Sequence, residues 1–283
     1  FILHDVAVKF GVFQVSVELK FAINLAREAG ALIFDASESD DLILDLKNNV
    51  ELVTSADTAA DLLICERIKS KFPNHIIISE ESSPHLDSVL NTASPFWIVD
   101  PIDGTVNFAH GLSQSAVSIA YVESGVIEVG VVYNPFTNEL FAARRGQGAT
   151  LNGLDISPSE QKELSRALIA TGFPYEKTNL KPILIRLEAV LTACADVRRL
   201  GSAALDICFV AAGRLDGYYE SLSLWDFAAA QLIAIEAGAA YGYFGKLDDD
   251  LDEQFNTENI LVSNPIIFND LKALLRSADL TLT

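Results

Sequence analysis

Four acidic residues stand at predicted ends of strands and helices, where rigid backbone would hold their side chains. Glu80 ends one predicted strand, Asp100 and Asp103 follow another, and Asp226 opens a predicted helix. Such ends gather at the ligand sites of layered α/β folds. Carboxylates clustered there without Lys or Arg would repel one another unless a cation lay between them. Because only oxygen ligands are offered, the pattern favours a hard ion, Mg²⁺ before Zn²⁺.

Gly104 and Thr105, which follow directly, predict the second part of such a site. Glycine lets the backbone approach a ligand closely, and N–H groups at the start of a helical turn form a nest for anions. Cations on one side and backbone donors on the other would together neutralise a phosphate group without basic side chains.

Each acidic residue also has a purely structural explanation. Asp-x-x-Asp-Gly occurs often in turns and helix caps, and Glu80 could be a solvated strand end. Asp57 and Asp226 could simply be acids in the first turn of a helix. The joint occurrence of these residues favours a site over four unrelated structural features.

The chain is strongly acidic, with 39 Asp and Glu against 20 Lys and Arg and a net charge of −19. We expect no nucleic-acid partner and no membrane partner, because both need basic patches. A phosphate ester would be repelled by the bare protein, and a bound cation would remove that repulsion. Three widely spaced cysteines predict neither a disulfide framework nor a zinc cluster.

The length of 283 residues exceeds what one hydrophobic core usually organises, so we expect two packed lobes. The apolar runs are short and interrupted, and the first residues lack the layout of a signal peptide. These features predict a soluble, cytoplasmic protein.

Apolar periodicity predicts an α+β lobe followed by an α/β lobe. In the first lobe, helices are predicted at 19–33 and 55–71 and strands at 75–79, 96–99, 116–122, 126–133 and 139–144. In the second lobe, strands are predicted at 167–171, 197–200, 215–219, 240–244 and 260–262 and helices at 180–193, 202–212, 225–237 and 265–277. We place the N-terminal lobe, with its antiparallel sheet, at residues 1–153 and the C-terminal α/β lobe at residues 154–283.

Over about residues 19–263 the chain resembles the inositol monophosphatase family of Mg²⁺-dependent, lithium-sensitive phosphatases. The matching segments are WIVDPIDGTVNFAHG at 97–111, WDFAAAQLIAIEAGA at 225–239, TSADTAAD at 54–61, ISEES at 78–82, RRLGSAALD at 198–206 and DGYYE at 216–220. The resemblance implies a layered αβαβα sandwich of the sugar-phosphatase type, two or three bound Mg²⁺ ions and a small-molecule phosphate ester as substrate. Relatives are commonly homodimers, so a homodimer is expected by analogy.

The resemblance also implies the metal ligands and the catalytic residues. Glu80, Asp100 and the backbone carbonyl of Ile102 would bind the first ion, and Asp100, Asp103 and Asp226 the second. Asp100 would therefore bridge the two ions.

Thr105, supported by Asp57, would orient and help deprotonate the attacking water, with Glu80 as the third catalytic residue. The backbone amides of Gly104 and Thr105 would bind phosphate oxygens. The implied reaction is an in-line displacement at two metal ions without a covalent enzyme intermediate.

Residues beyond the metal ligands imply the choice of substrate within the family. Nucleotide and histidinol phosphatases typically follow Asp-Gly-Thr with Lys and then Glu or Ser, whereas residues 106–108 here are Val-Asn-Phe, as in inositol phosphatases. Positions matching those that contact the substrate are Gly201, Ser202, Ala203, Glu220 and Asp226. A carboxylate suits a polyol because it accepts two hydroxyl hydrogen bonds. The prediction is an inositol monophosphatase, with a fructose-1,6-bisphosphatase or a broader sugar-phosphate phosphatase as the alternative.

Two spacings depart from the family pattern. Four residues separate Glu220 from Trp225, where the family usually has five, and Lys47 is one position closer to Asp57 than in close relatives. The first shortening could turn Glu220 away from the pocket.

A non-catalytic relative that binds phosphorylated ligands is the alternative from another class. Such a relative should have lost at least one of the catalytic or metal-binding residues. All five are present, which favours the enzyme: Glu80, Asp100, Asp103, Thr105 and Asp226.

Overall fold

The computed structural model describes residues 16–39, 43–47, 51–82, 94–175, 177–247 and 252–281. Within these ranges the helices are α1 (Val17–Ser37), α2 (Ser55–Lys71), α3 (Thr105–Ala109), α4 (Lys181–Ala193), α5 (Ala203–Ala211), α6 (Leu224–Glu236) and α7 (Phe268–Leu280). The strands are β1 (Leu44–Lys47), β2 (Glu51–Thr54), β3 (Ile76–Ser79), β4 (Phe96–Asp103), β5 (Ala116–Glu123), β6 (Val126–Asn134), β7 (Glu139–Arg144), β8 (Ala149–Leu151), β9 (Leu154–Asp155), β10 (Leu168–Thr171), β11 (Asp196–Arg198), β12 (Gly217–Glu220), β13 (Ala240–Tyr243) and β14 (Ile260–Ser263).

The first two long helices begin at side-chain caps and bury one apolar face each. The Ser16 hydroxyl accepts a hydrogen bond from the Leu19 N–H at 3.1 Å at the start of α1. At the start of α2, the Asp57 carboxylate accepts a hydrogen bond from the Thr54 N–H at 2.8 Å. Such caps satisfy backbone groups that the first helical turn leaves unpaired.

Strands β3 to β9 form a seven-stranded sheet in chain order. Strands β3 and β4 are parallel, with Ser79 opposite Val99, and the remaining neighbours are antiparallel. Because the two strands run parallel in this register, Glu80 and Asp100 lie side by side at the same edge of the sheet.

A second sheet of five strands has the order β11-β10-β12-β14-β13. Its strand β10 is parallel to β11 and β12, whereas β14 is antiparallel to β12 and β13. Glu220 ends the central strand β12, so it reaches the edge of this sheet.

The helices cover the two sheets in alternating layers. Helices α1 and α2 pack on the outer face of the first sheet, α5 and α6 lie between the sheets, and α4 and α7 pack on the outer face of the second. The core between the sheets is fully buried and takes residues from both, among them Phe141, Leu205, Tyr218 and Phe227. This is the predicted αβαβα sandwich.

We propose that the two lobes divide at residues 153 and 154, with the β1-β2 hairpin and most of the seven-stranded sheet in the first lobe and the five-stranded sheet in the second. The short strand β9 follows that division and still pairs with β8 of the first sheet. None of the helices in the described ranges is long and apolar enough to cross a membrane.

Several predicted ends were wrong: the strand predicted at 197–200 lies at Asp196–Arg198, and the helix predicted at 265–277 lies at Phe268–Leu280. The difference that bears on the site is in β4. The strand that was expected to stop at residue 99 continues to Asp103, with Asp100 opposite Ser118 and Asp103 opposite Ala116. The register shifts between these two pairs, because Pro101 has no N–H to contribute to the ladder. Both aspartates therefore belong to the strand and flank an irregularity in it.

Candidate active site

Three carboxylates meet where the first turn of α6 approaches the end of β4. Oxygens of Asp100, Asp103 and Asp226 all lie within 4.8 Å of one another. Asp100 and Asp103 are buried, while Asp226 is half-buried. Asp226 is tied to its own helix start, because its Oδ2 accepts a hydrogen bond from the Ser223 N–H at 2.9 Å. The cap therefore fixes the carboxylate that faces β4.

The irregularity in β4 shapes the backbone of the site. Asp100 Oδ1 accepts a hydrogen bond from the Ile102 N–H at 3.0 Å, which closes a tight turn around Pro101. The Ile102 carbonyl oxygen lies 3.0 Å from the Thr105 hydroxyl. Both Ile102 and Thr105 line the same cavity as the carboxylates.

The buried carboxylates of the cluster repel one another. Burial raises the pKa of Asp100 well above its usual value, and the charges of Glu80, Asp103 and Asp226 raise it further. Burial, Asp103 and Glu80 likewise raise the pKa of Asp226. Glu80 lies in the cavity wall beside the three-carboxylate cluster. Buried, mutually repelling oxygen ligands fit a hard divalent cation, and the cluster indicates a divalent-metal site.

Asp103 also joins strand β4 to the start of helix α5. Its Oδ2 accepts hydrogen bonds from the Ser202 hydroxyl at 2.5 Å and the Ala204 N–H at 2.8 Å, and its Oδ1 from the Ala203 N–H at 3.3 Å. Burial raises the pKa of Asp103 to about 6, and these three donors hold it down. The carboxylate thus caps the start of α5 while it faces Asp100 and Asp226.

Thr105 and Asp57 form a buried pair behind the carboxylates. The Thr105 hydroxyl donates to Asp57 Oδ1 at 3.0 Å, and the Thr54 hydroxyl donates to Asp57 Oδ2 at 2.5 Å. Burial raises the pKa of Asp57, and the hydrogen bonds from Thr54 and Thr105 lower it. Asp57 is therefore both a helix cap and the acceptor for Thr105.

Position 104 requires glycine, because of both its backbone conformation and its close neighbours. Its φ of +93° lies in the left-handed region, and a Cβ would stand 2.7 Å from the Gln114 carbonyl oxygen. Any other residue would be strained there. Its carbonyl accepts a hydrogen bond from the Ser115 hydroxyl at 3.0 Å, which fixes the loop before the short helix α3.

A cavity of about 530 Å³ lies over this group, between the edges of the two sheets. It brings together every predicted site residue except Asp57, which lies behind Thr105. The predicted residues in its wall are Glu80, Asp100, Ile102, Asp103, Gly104, Thr105, Gly201, Ser202, Ala203, Glu220 and Asp226.

The shortened spacing before Trp225 does not remove Glu220 from the cavity. Glu220 lines the cavity wall, and the Tyr218 hydroxyl donates a hydrogen bond to its Oε2. Burial raises the pKa of Glu220 to about 7, while that hydrogen bond and the charge of Arg199 lower it. The side chain of Lys47, the other departure, lies outside the described residues.

Sequence reasoning missed three residues around the site. Arg199 and Asp206 line the cavity, and both fall in the matching segment at 198–206. Asp61, one helical turn after Asp57, accepts a hydrogen bond from the Ser79 hydroxyl directly before Glu80. The signal that could have found Asp61 is its position four residues after Asp57, because residues at this spacing share one face of α2.

Taken together, the five-layer fold and an acidic cavity between its sheets define the metal-dependent phosphatases of the sugar-phosphatase type. The chain belongs to the inositol monophosphatase family, whose model matches residues 14–275. The family and the fold support a phosphatase.

Relatives agree with this assignment along nearly the whole chain. The Escherichia coli K12 protein named Nus factor SuhB is 41% identical over 261 residues, which cover 91% of this chain and 95% of that protein. The solved structure of extragenic suppressor protein suhB from Bartonella henselae matches with a TM-score of 0.84 and 35% identity, covering 92% and 99% of the two chains. The Thermotoga maritima IMPase structure matches with a TM-score of 0.81 and 31% identity, covering 95% and 100%.

Proposed function

We propose that the protein is a Mg²⁺-dependent phosphomonoesterase that hydrolyses inositol monophosphate to inositol and inorganic phosphate. The observation that carries the proposal is one cavity whose wall holds both the carboxylate cluster and Glu220. Glu80, Asp100, Asp103, Asp226 and the Ile102 carbonyl would hold two or three Mg²⁺ ions. When bound, the ions would supply Lewis-acid stabilisation of the phosphate oxygens and the leaving oxygen.

Thr105 and Asp57 position the attacking water in this proposal. Because the Thr105 hydroxyl gives its hydrogen to Asp57, its oxygen is free to accept a hydrogen from a water molecule. This pair therefore orients the water and draws a proton from it. The water attacks phosphorus directly, so no covalent enzyme intermediate is formed.

The remaining wall holds the two ends of the substrate. Backbone amides of Gly104 and Thr105 donate to phosphate oxygens, as expected for a glycine-led turn. Glu220 and the 201–203 segment bind inositol hydroxyls. The Ser202 hydroxyl and the Ala203 N–H already donate to Asp103, so the segment binds the polyol through its remaining backbone groups.

A phosphate-release screen tests this function. Purified protein with and without Mg²⁺ is given inositol 1-phosphate, fructose 1,6-bisphosphate, adenosine 3′,5′-bisphosphate and histidinol phosphate. We expect Mg²⁺-dependent release from inositol 1-phosphate with the highest kcat/KM. Absence of release from every ester would identify a non-catalytic relative, and a preference for fructose 1,6-bisphosphate would support the alternative substrate.

Lithium offers a second test of the same proposal. We expect Li⁺ to inhibit uncompetitively with respect to inositol 1-phosphate, because it would occupy a metal position after turnover. No inhibition, or simple competition with substrate, would contradict the assignment of Asp103 and Asp226 to the second ion.

We also propose that the protein forms a homodimer. Helix α4 leaves Leu184 and Leu191 more than half exposed, and Leu180 just before it is exposed on the same stripe. Light scattering after gel filtration should give twice the chain mass of 30.7 kDa. A monomer at micromolar concentration would contradict this proposal.

A second candidate function comes from the relatives named Nus factor SuhB. The 41% identity over nearly the whole chain supports a role in transcription, exerted through a protein partner because the net charge of −19 disfavours direct nucleic-acid binding. Gel filtration with bacterial RNA polymerase tests it. Co-elution of both wild type and Asp100→Asn would show a role separate from catalysis.

A further inference from the structure

Glu220 lies where two parallel strands end side by side. It is the last residue of β12, and the neighbouring strand β10 ends at Thr171, which lies opposite Tyr219. The Thr171 hydroxyl donates a hydrogen bond to the Tyr219 carbonyl oxygen at 2.7 Å and ties the two strand ends together. The next residue on each chain segment, Gly172 and Glu220, therefore lie side by side, and both line the cavity.

Gly172 leaves open the space that the Glu220 carboxylate occupies. A Cβ built on Gly172 would overlap Oε1, Oε2 and Cδ of Glu220, which are the three atoms nearest to it. The φ of Gly172 lies outside the left-handed region, so an alanine would not strain its backbone. The need for glycine at this position thus comes from the Glu220 side chain and not from the backbone of Gly172.

Tyr218 holds the same carboxylate from within β12. Tyr218 and Glu220 are two residues apart on one strand, so their side chains point to the same face of the sheet. Tyr218 is fully buried, and its hydroxyl donates a hydrogen bond to Glu220 Oε2. Within the described part of the chain, Glu220 Oε1 accepts no hydrogen bond. One oxygen is therefore anchored, and the other is available to a ligand in the cavity.

We propose that Gly172 and Tyr218 are positioning residues that set specificity, because they hold the Glu220 carboxylate with Oε2 on the tyrosine and Oε1 available to a substrate hydroxyl. The inference rests on the proposed function, in which Glu220 binds a hydroxyl of the phosphate ester. A carboxylate already fixed by packing and by a hydrogen bond loses little freedom when the substrate binds. The pair therefore favours esters whose alcohol carries a free hydroxyl over esters whose alcohol has none.

Gly172→Ala tests the packing of the carboxylate. The added methyl group would displace the flexible end of Glu220, and kcat/KM is measured at saturating Mg²⁺ for inositol 1-phosphate and 4-nitrophenyl phosphate. We expect the ratio of the first value to the second to fall by about tenfold, the lower end for a lost charged hydrogen bond. The matched control is Gly242→Ala, on β13 of the same sheet and outside the cavity wall, which should keep the wild-type ratio.

Tyr218→Phe tests the hydrogen bond. The ring stays in place while the donor to Oε2 is lost, and the carboxylate keeps its packing against Gly172. We therefore expect a smaller fall in the same ratio, by about three- to tenfold. The control is Tyr219→Phe, which removes a hydroxyl from the adjacent residue that does not line the cavity, and it should leave the ratio unchanged.

A shorter acid at position 220 distinguishes positioning from damage to the fold. Glu220→Asp draws the carboxylate back by one methylene, so this variant alone should lower the ratio. In the double variant Gly172→Ala/Glu220→Asp, the alanine methyl group fits the space that the shorter side chain leaves. We expect the double variant to lose no more than Gly172→Ala alone, whereas independent effects would multiply. Multiplied losses, or equal losses on both substrates in Gly172→Ala and Tyr218→Phe, would overturn the proposal.

Failure of the proposed function is distinguishable from failure of this inference. If the wild type releases phosphate from no ester, the proposed function fails, and crystal structures of the wild type and Gly172→Ala decide on positioning. The variant should show a displaced Glu220 carboxylate, and an unmoved carboxylate would overturn the inference. If the wild type cleaves other sugar phosphates but not inositol 1-phosphate, the ratio is measured with the best of those esters.

Discussion

The two ends of the cavity are built in different ways. At the proposed metal end, Glu80 and Asp226 join a group of residues from one short segment. That group, Asp100, Asp103 and Thr105, comes from six consecutive residues, is buried and accepts or donates hydrogen bonds within the protein. At the proposed substrate end, Glu220 and the 201–203 segment come from separate parts of the chain.

This difference separates the residues proposed to take part in the reaction from those proposed to recognise the substrate. Residues fixed by neighbouring backbone and by burial cannot move far, as a metal-ligand geometry requires. Residues on separate segments at a cavity rim can be exchanged singly without disturbing that geometry. We therefore expect substitutions at the metal end to affect all substrates, and those at the substrate end to affect only some.

Asp100→Asn should have the largest effect and tests the metal end. The shape is kept, but the ligand proposed to touch both ions loses its charge. We expect phosphate release at saturating Mg²⁺ to fall by at least about a thousandfold on every substrate, equivalent to roughly 4 kcal/mol of barrier. The Tm of the metal-free protein should not fall, because a repulsive charge is removed. Asp155→Asn, on the exposed strand β9, is the control, and near-normal turnover by Asp100→Asn would disprove the two-metal proposal.

Glu220→Gln tests the substrate end. Loss of a charged acceptor for inositol hydroxyls should lower kcat/KM for inositol 1-phosphate by roughly ten- to a hundredfold, and should affect an aryl phosphate much less. Glu258→Gln removes the same charge from the same wall, but Glu258 already accepts a hydrogen bond from Ser221 at 2.8 Å. Its effect should be smaller. Equal losses on both substrates in Glu220→Gln would show that Glu220 supports the metal end.

Ser79→Ala tests whether the support behind the metal end matters. The Ser79 hydroxyl donates to Asp61 on α2, and Ser79 directly precedes Glu80. Removing the Ser79 hydroxyl should raise the Mg²⁺ concentration needed for half-maximal activity by about tenfold. That is the lower end of the range for losing a hydrogen bond in the layer of residues behind the metal ligands. The Mg²⁺-induced rise in Tm should shift to higher concentration in parallel. The control is Ser82→Ala, which removes a hydroxyl from the same residue type near the same strand end. Identical dependence of activity on Mg²⁺ in the two variants would contradict this prediction.

The smallest expected effect concerns pH and the metal-free protein. Because the folded-state pKa of Asp103 is raised to about 6 by burial, the folded protein binds more protons than the unfolded chain between pH 4 and 6. Stability should then fall as pH rises from about 4 to 6 and level off above that. Between pH 5 and 7.5, Asp103 alone would contribute about 1.4 kcal/mol, from about one pKa unit at 1.36 kcal/mol.

The measurement is Tm in EDTA at pH 5 and pH 7.5. We expect a higher Tm at pH 5, a smaller difference in Asp103→Asn, and a smaller difference for the wild type with saturating Mg²⁺. A metal-free Tm that rises with pH would contradict the raised pKa.

Local sequence patterns predicted much of the fold. The predicted helix at 55–71 coincides with α2, and the predicted strand at 139–144 coincides with β7. The signals that mark them, a capping box for the helix and apolar residues for the strand, lie in the element or directly next to it. The hairpin of β1 and β2 and the short strands β8 and β9 were missed, since none of them carries an apolar run like the one that marks β3.

What the sequence alone determined is the content of the site: two oxygen-rich motifs, a glycine before Thr105, and the family to which they belong. Only the tertiary structure decided how these parts meet. Asp103 binds Ser202 across 99 residues of chain, and Asp57 binds Thr105 across 48. A local sequence pattern shows which face of a helix or strand is apolar. A contact between residues so far apart in the chain depends on how the sheets and their helices pack together. The place of the Glu220 carboxylate belongs to that second group, because it packs against Gly172 on another segment.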